Sequence, residues 1–167
     1  MHFKYVYGQE TGIVNADYTD YGPIMRLTSY TDYGLRALML LAAEPGVVIS
    51  AAVLAHRLGV SRNHLAKILL DLVDGGYLSS ARGAAGGVSM TTDPGSIRLG
   101  DLVDYLERDQ PLVECFRVDG TECCLLPQCR LRSLLRGGAE AFLIALNQNT
   151  LADLVPAGIS FARRGAA

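Results

Sequence analysis

Apolar and polar positions alternate with a helical period through the first patterned part of the chain. Between Thr31 and Ala43, Leu35, Leu38, Met39 and Ala42 recur at i, i+3, i+4 and i+7, which is one face of a helix. Pro45-Gly46 stops that helix, and Val47-Val48-Ile49 reads as a short strand. Ser50 is placed to cap a second helix running to about Leu58, with Gly59 ending it in a left-handed conformation. Ser61 is placed to cap a third, with Leu65, Ile68, Leu69 and Leu72 along one side and Gly75 at its end. Two short helices joined by Gly59-Val60-Ser61 form a helix-turn-helix signature.

The period then changes. Tyr77–Ala81 and Val88–Thr92 are strand-like and flank Arg82-Gly-Ala-Ala-Gly-Gly87, whose glycines suit a hairpin tip because they tolerate positive φ. A hairpin directly after a helix-turn-helix makes a winged helix. Asp93-Pro94 closes it, and a short amphipathic helix follows over Leu99–Glu107. Residues 110–129 are irregular and hold all four cysteines. From Arg130 onward, Leu131, Leu134, Leu135, Phe142 and Leu146 mark a longer helix that must pack on the domain or on a second copy. Gly137-Gly138 in its middle suits a bend or a close helix crossing, and Thr150-Leu-Ala-Asp153 offers a capping box for a final turn.

The predicted architecture is mainly α with a small β wing. It divides into a flexible extension (1–24), a winged helix-turn-helix (25–108), a cysteine-rich loop (109–130), a long dimerisation helix with its C-terminal turn (131–155) and a flexible tail (156–167).

The formal net charge of −2 argues neither for nor against nucleic acid, but its distribution leans toward it. Residues 25–98 carry seven Lys/Arg against five Asp/Glu, whereas residues 99–167 carry seven against nine. No export or membrane segment is legible, so the expected compartment is reducing cytosol. Cysteines there read as metal ligands or redox thiols before they read as disulfides.

On the third helix, 100° per residue from Leu65 places Asn63 near 160° and Lys67 near 200°, opposite the apolar side. Arg62 and His64 flank that face at the N-terminal end, the part that enters the major groove in helix-turn-helix proteins. Asn bonds adenine bidentately, while Arg and Lys reach guanine. Arg82 at the wing tip is shaped for a narrow A·T minor groove. Arg26, Ser61 and the wing glycines Gly83, Gly86 and Gly87 complete the candidate DNA-binding set. The ordinary alternative for each side chain is a solvated surface position.

Cys115, Cys123 and Cys129 follow the spacing C-x7-C-x5-C. Three thiolates on one loop can converge on a soft metal centre, and the spacing leaves both tetrahedral zinc and an iron–sulfur cluster open. Cys124, adjacent to Cys123, reads as a spare thiol. No phosphate loop, Ser-His-Asp set or paired catalytic carboxylates stand out, so an enzyme is not expected.

Residues 25–39, Gly59-Val-Ser-Arg-Asn-His-Leu-Ala-Lys67 and the Arg-Gly-x-x-Gly-Gly wing resemble the winged-helix regulator family that contains NsrR, IscR and RirA, over residues 25 to about 155. Within it, Ser61-Arg-Asn-His-Leu65, Glu114-Cys-Phe116 and Thr150-Leu-Ala-Asp-Leu154 are most similar to the nitric-oxide-sensing NsrR type. The resemblance implies a cytoplasmic homodimeric repressor packed through the long helix and bound to a double-stranded DNA operator. It implies an iron–sulfur cluster, 4Fe–4S ahead of 2Fe–2S, on Cys115, Cys123 and Cys129, with Asp32 of the other subunit as fourth ligand. Nitric oxide then attacks the cluster, DNA affinity falls, and nitrosative-stress genes are transcribed. The alternatives are an iron-status regulator of the RirA type and a zinc-stabilised interaction module. Cys124 and Gly137-Gly138 depart from the family pattern.

Overall fold

A computed structural model of the chain describes residues 26–83, 86–117, 123, 125 and 128–155. The extension 1–24, the tail 156–167 and Cys124 lie outside the described residues. Five helices and a two-stranded hairpin follow the order α1 (Ser29–Ala42), α2 (Ala51–Leu58), α3 (Arg62–Asp74), β1 (Leu78–Ala81), β2 (Gly87–Met90), α4 (Leu99–Glu107) and α5 (Arg130–Leu146) among those residues.

Helix α1 begins two residues before the periodic pattern does, because Thr28 is its cap and accepts from the Thr31 amide at 3.2 Å. Ser50 caps α2 by accepting from Val53, and Gly59 ends it at φ 69°, both as the sequence predicts. Ser61 stands at the N-cap of α3 but makes no side-chain cap bond. The expected strand at 47–49 shrinks to one bridge, Ile49 with Val88, in which each amide donates to the other carbonyl at 2.9 Å. Val47 and Val48 stay outside it and exposed.

Strands β1 and β2 pair antiparallel from Leu78–Met90 to Ala81–Gly87. The wing glycines act differently from the expectation. Only Gly83 takes a positive φ, 104°, whereas Gly86 and Gly87 are required by close backbone approach. A Cβ on Gly87 would lie 2.6 Å from the Ile49 carbonyl carbon, and one on Gly86 would lie 2.6 Å from the Ala81 oxygen. The absent side chain lets the bridge from Ile49 close on the wing.

Leu38 and Leu41 of α1, Leu54 of α2, Leu65, Ile68 and Leu72 of α3 and Leu102 of α4 form one fully buried core. Leu151 joins them from the turn after α5, held by the Thr150–Asp153 capping box. A bond from the Leu151 amide to the Ile97 carbonyl (2.9 Å) ties that turn to the start of α4. Helix α5 therefore returns to the body at its C-terminal end. It buries none of its own residues fully.

Candidate nucleic-acid interface and metal centre

Ser61, Arg62, Asn63, His64 and Lys67 are all exposed at the N-terminal half of α3. The apolar side of that helix, Leu65, Ile68, Leu69 and Leu72, is locked into the core, so the polar side faces outward by necessity. Arg82 and Gly83 are exposed at the wing, and Arg26 is exposed just before α1. The helix and the wing thus present the predicted polar set on their open sides.

His64 is more constrained than its position on that face suggests. Its ring meets Tyr33 edge-on, with centroids 5.5 Å apart at 72°, and Tyr30 at 6.4 Å. Two aromatic residues of α1 therefore seat it.

Farther along α3, Asp71 collects bonds from three side chains. Tyr30 of α1 donates its hydroxyl at 2.9 Å, Tyr105 of α4 donates at 3.2 Å, and Arg108 pairs with both carboxylate oxygens. The Arg108 guanidinium also lies 4.3 Å over the Tyr105 ring. Arg108, above all, holds the Asp71 carboxyl below the usual carboxylate range, assisted by Tyr30. Burial first, then the bond to Asp71, pushes the Tyr30 hydroxyl up to about 12.

One residue earlier, Glu107 accepts from the Thr28 amide at 2.8 Å and from the Thr28 hydroxyl at 3.0 Å. Periodicity carries no trace of these contacts, since Thr28 and Glu107 are 79 positions apart.

The cysteine loop leaves α4 directly after Arg108. Cys115, Cys123 and Cys129 are free thiols, each half-buried. Cys115 lies in a 3-10 turn (Glu114–Phe116), and Cys129 is the N-cap of α5, where the helix dipole favours an anionic ligand. Phe116 fastens the loop to α5, with the guanidinium groups of Arg132 and Arg136 at 5.9 and 5.8 Å from its ring centre. Glu114-Cys-Phe116 stands out in the sequence only by resemblance, and this contact gives the aromatic residue a physical task.

Asp32 is in the first turn of α1, 40% exposed, and bonds Arg36 one turn on at 2.8 Å. Among the described residues, no group of three His, Cys, Asp or Glu side chains is gathered to hold a metal. The donor chemistry nevertheless fits a thiophilic centre: three unpaired thiols on one loop, two of them tied to the same end of α5. No helix among the described residues is long and apolar enough to cross a membrane.

The chain matches the family model described as Rrf2, iron-dependent transcriptional regulator, over residues 27–157. It is 40% identical over 132 residues to the HTH-type transcriptional regulator NsrR of Bacillus subtilis, covering 78% of this chain and 90% of that one. It is 41% identical, with the same coverage, to NsrR of Geobacillus kaustophilus. Among solved structures, CymR, the global cysteine regulator of B. subtilis, superposes with a TM-score of 0.60 at 25% identity, over 78% of this chain and 96% of that one. These relatives are regulators and not enzymes, and the fold is their winged helix. The chain is a DNA-binding transcriptional regulator of the NsrR type and belongs to the Rrf2 family.

Proposed function

We propose that the chain is a homodimeric repressor whose grip on operator DNA depends on an iron–sulfur cluster and is released by nitric oxide. The observation that carries the proposal is the cysteine loop. Its three free thiols sit between the end of α4 and the first residue of α5, so any constraint on them is felt by the helix-turn-helix body and by the long helix.

Cys115, Cys123 and Cys129 would hold the cluster, 4Fe–4S ahead of 2Fe–2S, with Asp32 of the partner subunit as fourth ligand. When bound, such a cluster supplies iron that nitric oxide can attack. The protein side follows from its own residues. Phe116 on Arg132 and Arg136 keeps the Cys115 end of the loop beside the Cys129 end. Asp32, its side chain 40% exposed and bonded to Arg36, would exchange that partner for the cluster of a second copy.

The second copy is supported by two apolar stripes on α5. Leu135, Ala139, Phe142 and Leu146 form the half-buried stripe, and Leu146 packs against the core of the body. Leu131, Leu134, Gly138, Ala141 and Ala145, spaced three, four, three and four apart, form an exposed one. Among the described residues, nothing beyond the helix's own backbone and the adjoining positions comes within 4 Å of where a Cβ on Gly137 or Gly138 would stand. A close helix crossing, one of the two roles these glycines suit beside a bend, would there be made by the second copy.

On DNA, Asn63, Arg62 and Lys67 would read the major groove and Arg82 the adjoining minor groove, with Arg26, Ser61, His64, Gly83, Gly86 and Gly87 around them.

The test is operator affinity of anaerobically purified protein before and after stoichiometric nitric oxide, with visible spectra alongside. Binding lost as the cluster band bleaches is the expected result, and Cys123→Ala should be a folded, colourless dimer that binds weakly. Full-strength binding by Cys123→Ala would refute cluster gating. Binding indifferent to nitric oxide, and lost only on iron removal, would favour an iron-status regulator. Colourless zinc-loaded protein would leave a zinc-stabilised module.

A further inference from the structure

We infer that Asp71 is a positioning residue that couples the cysteine loop and the Asp32 helix to the recognition helix α3, so that DNA affinity follows the state of the loop through this carboxylate. The inference rests on the proposed cluster-dependent repression and names the contact that would carry it.

Both segments that supply the proposed ligands end on Asp71. Tyr30 stands two residues before Asp32 in the first turn of α1, and Arg108 is the last residue before the loop. Tyr105, one turn before Arg108, adds bonds to the Asp71 carbonyl at 2.8 Å and to its carboxylate. Glu107 closes the frame by holding Thr28, the cap of α1, so the end of α4 grips both helices together.

Local sequence is shaped to admit these contacts. A Cβ on Gly75 would lie 2.6 Å from the Tyr105 ring, so only glycine leaves room for that ring beside the end of α3. The Asp71 side chain is 15% exposed, and a cleft of about 400 Å³ opens beside it, lined by Tyr30, His64, Asp71, Arg108 and Gln110.

The division of labour on α3 is physical. Leu65, Ile68, Leu69 and Leu72 fix which side of the helix faces outward, but by non-directional apolar contact, which sets its angle about the axis less sharply than a directional bond does. The charge-assisted bonds at Asp71 are directional. Lys67 is one turn before Asp71 and Asn63 two turns, about 6 and 12 Å along the axis at 1.5 Å per residue. A pull on Tyr30 or Arg108 therefore turns the groove-reading face, and His64, seated on Tyr30 and Tyr33, moves with α1.

The experiment compares the full-length protein with Asp71→Asn and Tyr30→Phe, each purified anaerobically. Iron per chain, visible absorbance and helical content are measured together with operator affinity in the cluster-loaded and cluster-free forms. Both variants should load iron like the parent. The loaded-to-free affinity ratio should collapse about tenfold in Asp71→Asn and by about threefold in Tyr30→Phe, the scale of ordinary coupling energies. A folded, iron-loaded Asp71→Asn with a parental ratio would overturn the coupling. Should that variant fail to fold or to load, an unchanged ratio in Tyr30→Phe overturns it instead. A parental ratio of one removes cluster-dependent repression itself, and the coupling with it; a large parental ratio left intact in the variants removes only the coupling.

Discussion

Gly100 holds the long helix against the body, and Gly100→Ala should loosen it. In the second position of α4 it faces the end of α5, where an added Cβ would meet the Leu143 carbonyl and stand 2.6 Å from Asn147 Oδ1. That oxygen accepts from the Asp101 amide at 3.1 Å, while Asn147 Nδ2 donates to the Asp101 carboxylate at 2.8 Å. Alanine improves helix propensity by about 1 kcal/mol. Overpacking costs about 1–3 kcal/mol, and here the obstacle is a backbone carbonyl that cannot swing aside. Displacing Asn147 forfeits two hydrogen bonds worth about 1 kcal/mol each. The net is a loss of about 2–4 kcal/mol, or about 4–16 °C in Tm for a chain of this size. Thermal unfolding by circular dichroism at fixed protein concentration measures it, and hydrogen exchange should show the loss of protection centred on Leu143–Asn147. Asn147→Ala, which removes the bonds without the clash, should cost less. A Tm equal to or above that of the parent would refute the reasoning, because propensity alone would then govern the site.

Arg82→Ala should lower operator affinity mainly at sites with A·T-rich flanks, read by comparing paired operators in a binding titration; an equal loss on every sequence would make Arg82 a phosphate contact. Tyr30, raised from its ordinary value to about 12, stabilises the fold with its proton on. That stabilisation is complete below pH about 10 and fades as pH rises through about 12, so denaturant midpoints should fall across this window in the parent more steeply than in Tyr30→Phe. Parallel curves would contradict the assignment.

Local pattern was a good guide wherever the controlling contacts are local. The ends of α2 and α4, the Ser50 cap, the left-handed Gly59 and the Thr150–Asp153 box depend on neighbours within a turn. The same holds for the outward side of α3, since its apolar residues dictate which side is left. What escaped reading depends on residues far apart. The start of α1 is drawn back to Ser29 by a cap that Glu107 supports, and nothing near Thr28 announces that partner. Ser61 stands at the cap position that the pattern gives it, but its side chain makes no cap bond. Gly87 looks like a turn residue, yet the Ile49 bridge, arriving from before the helix-turn-helix, makes it necessary, whereas Gly86 is needed by the wing's own backbone at Ala81 and Gly83. Asp71 reads as one more polar residue at the edge of an apolar face, because its partners arrive from α1 and α4. The cysteine set was legible as chemistry, whereas the fastening of Phe116 to Arg132 and Arg136 required the helix to be in place.

The two stripes of α5 bear on when a chain becomes finished. One stripe is half-buried within the chain, while Leu131 and Leu134, more than 60% exposed, would be covered only in the proposed homodimer. Mass action then sets the waiting time. On that proposal, the lone chain at dilution would carry an adhesive flank, and its resistance to heat or proteolysis would rise with its own concentration. Synthesis rate would then become an input to the regulator's competence: a cell making few copies would hold a larger fraction of unpaired chains. Capture of that flank by other apolar surfaces is the hazard such a helix brings with it.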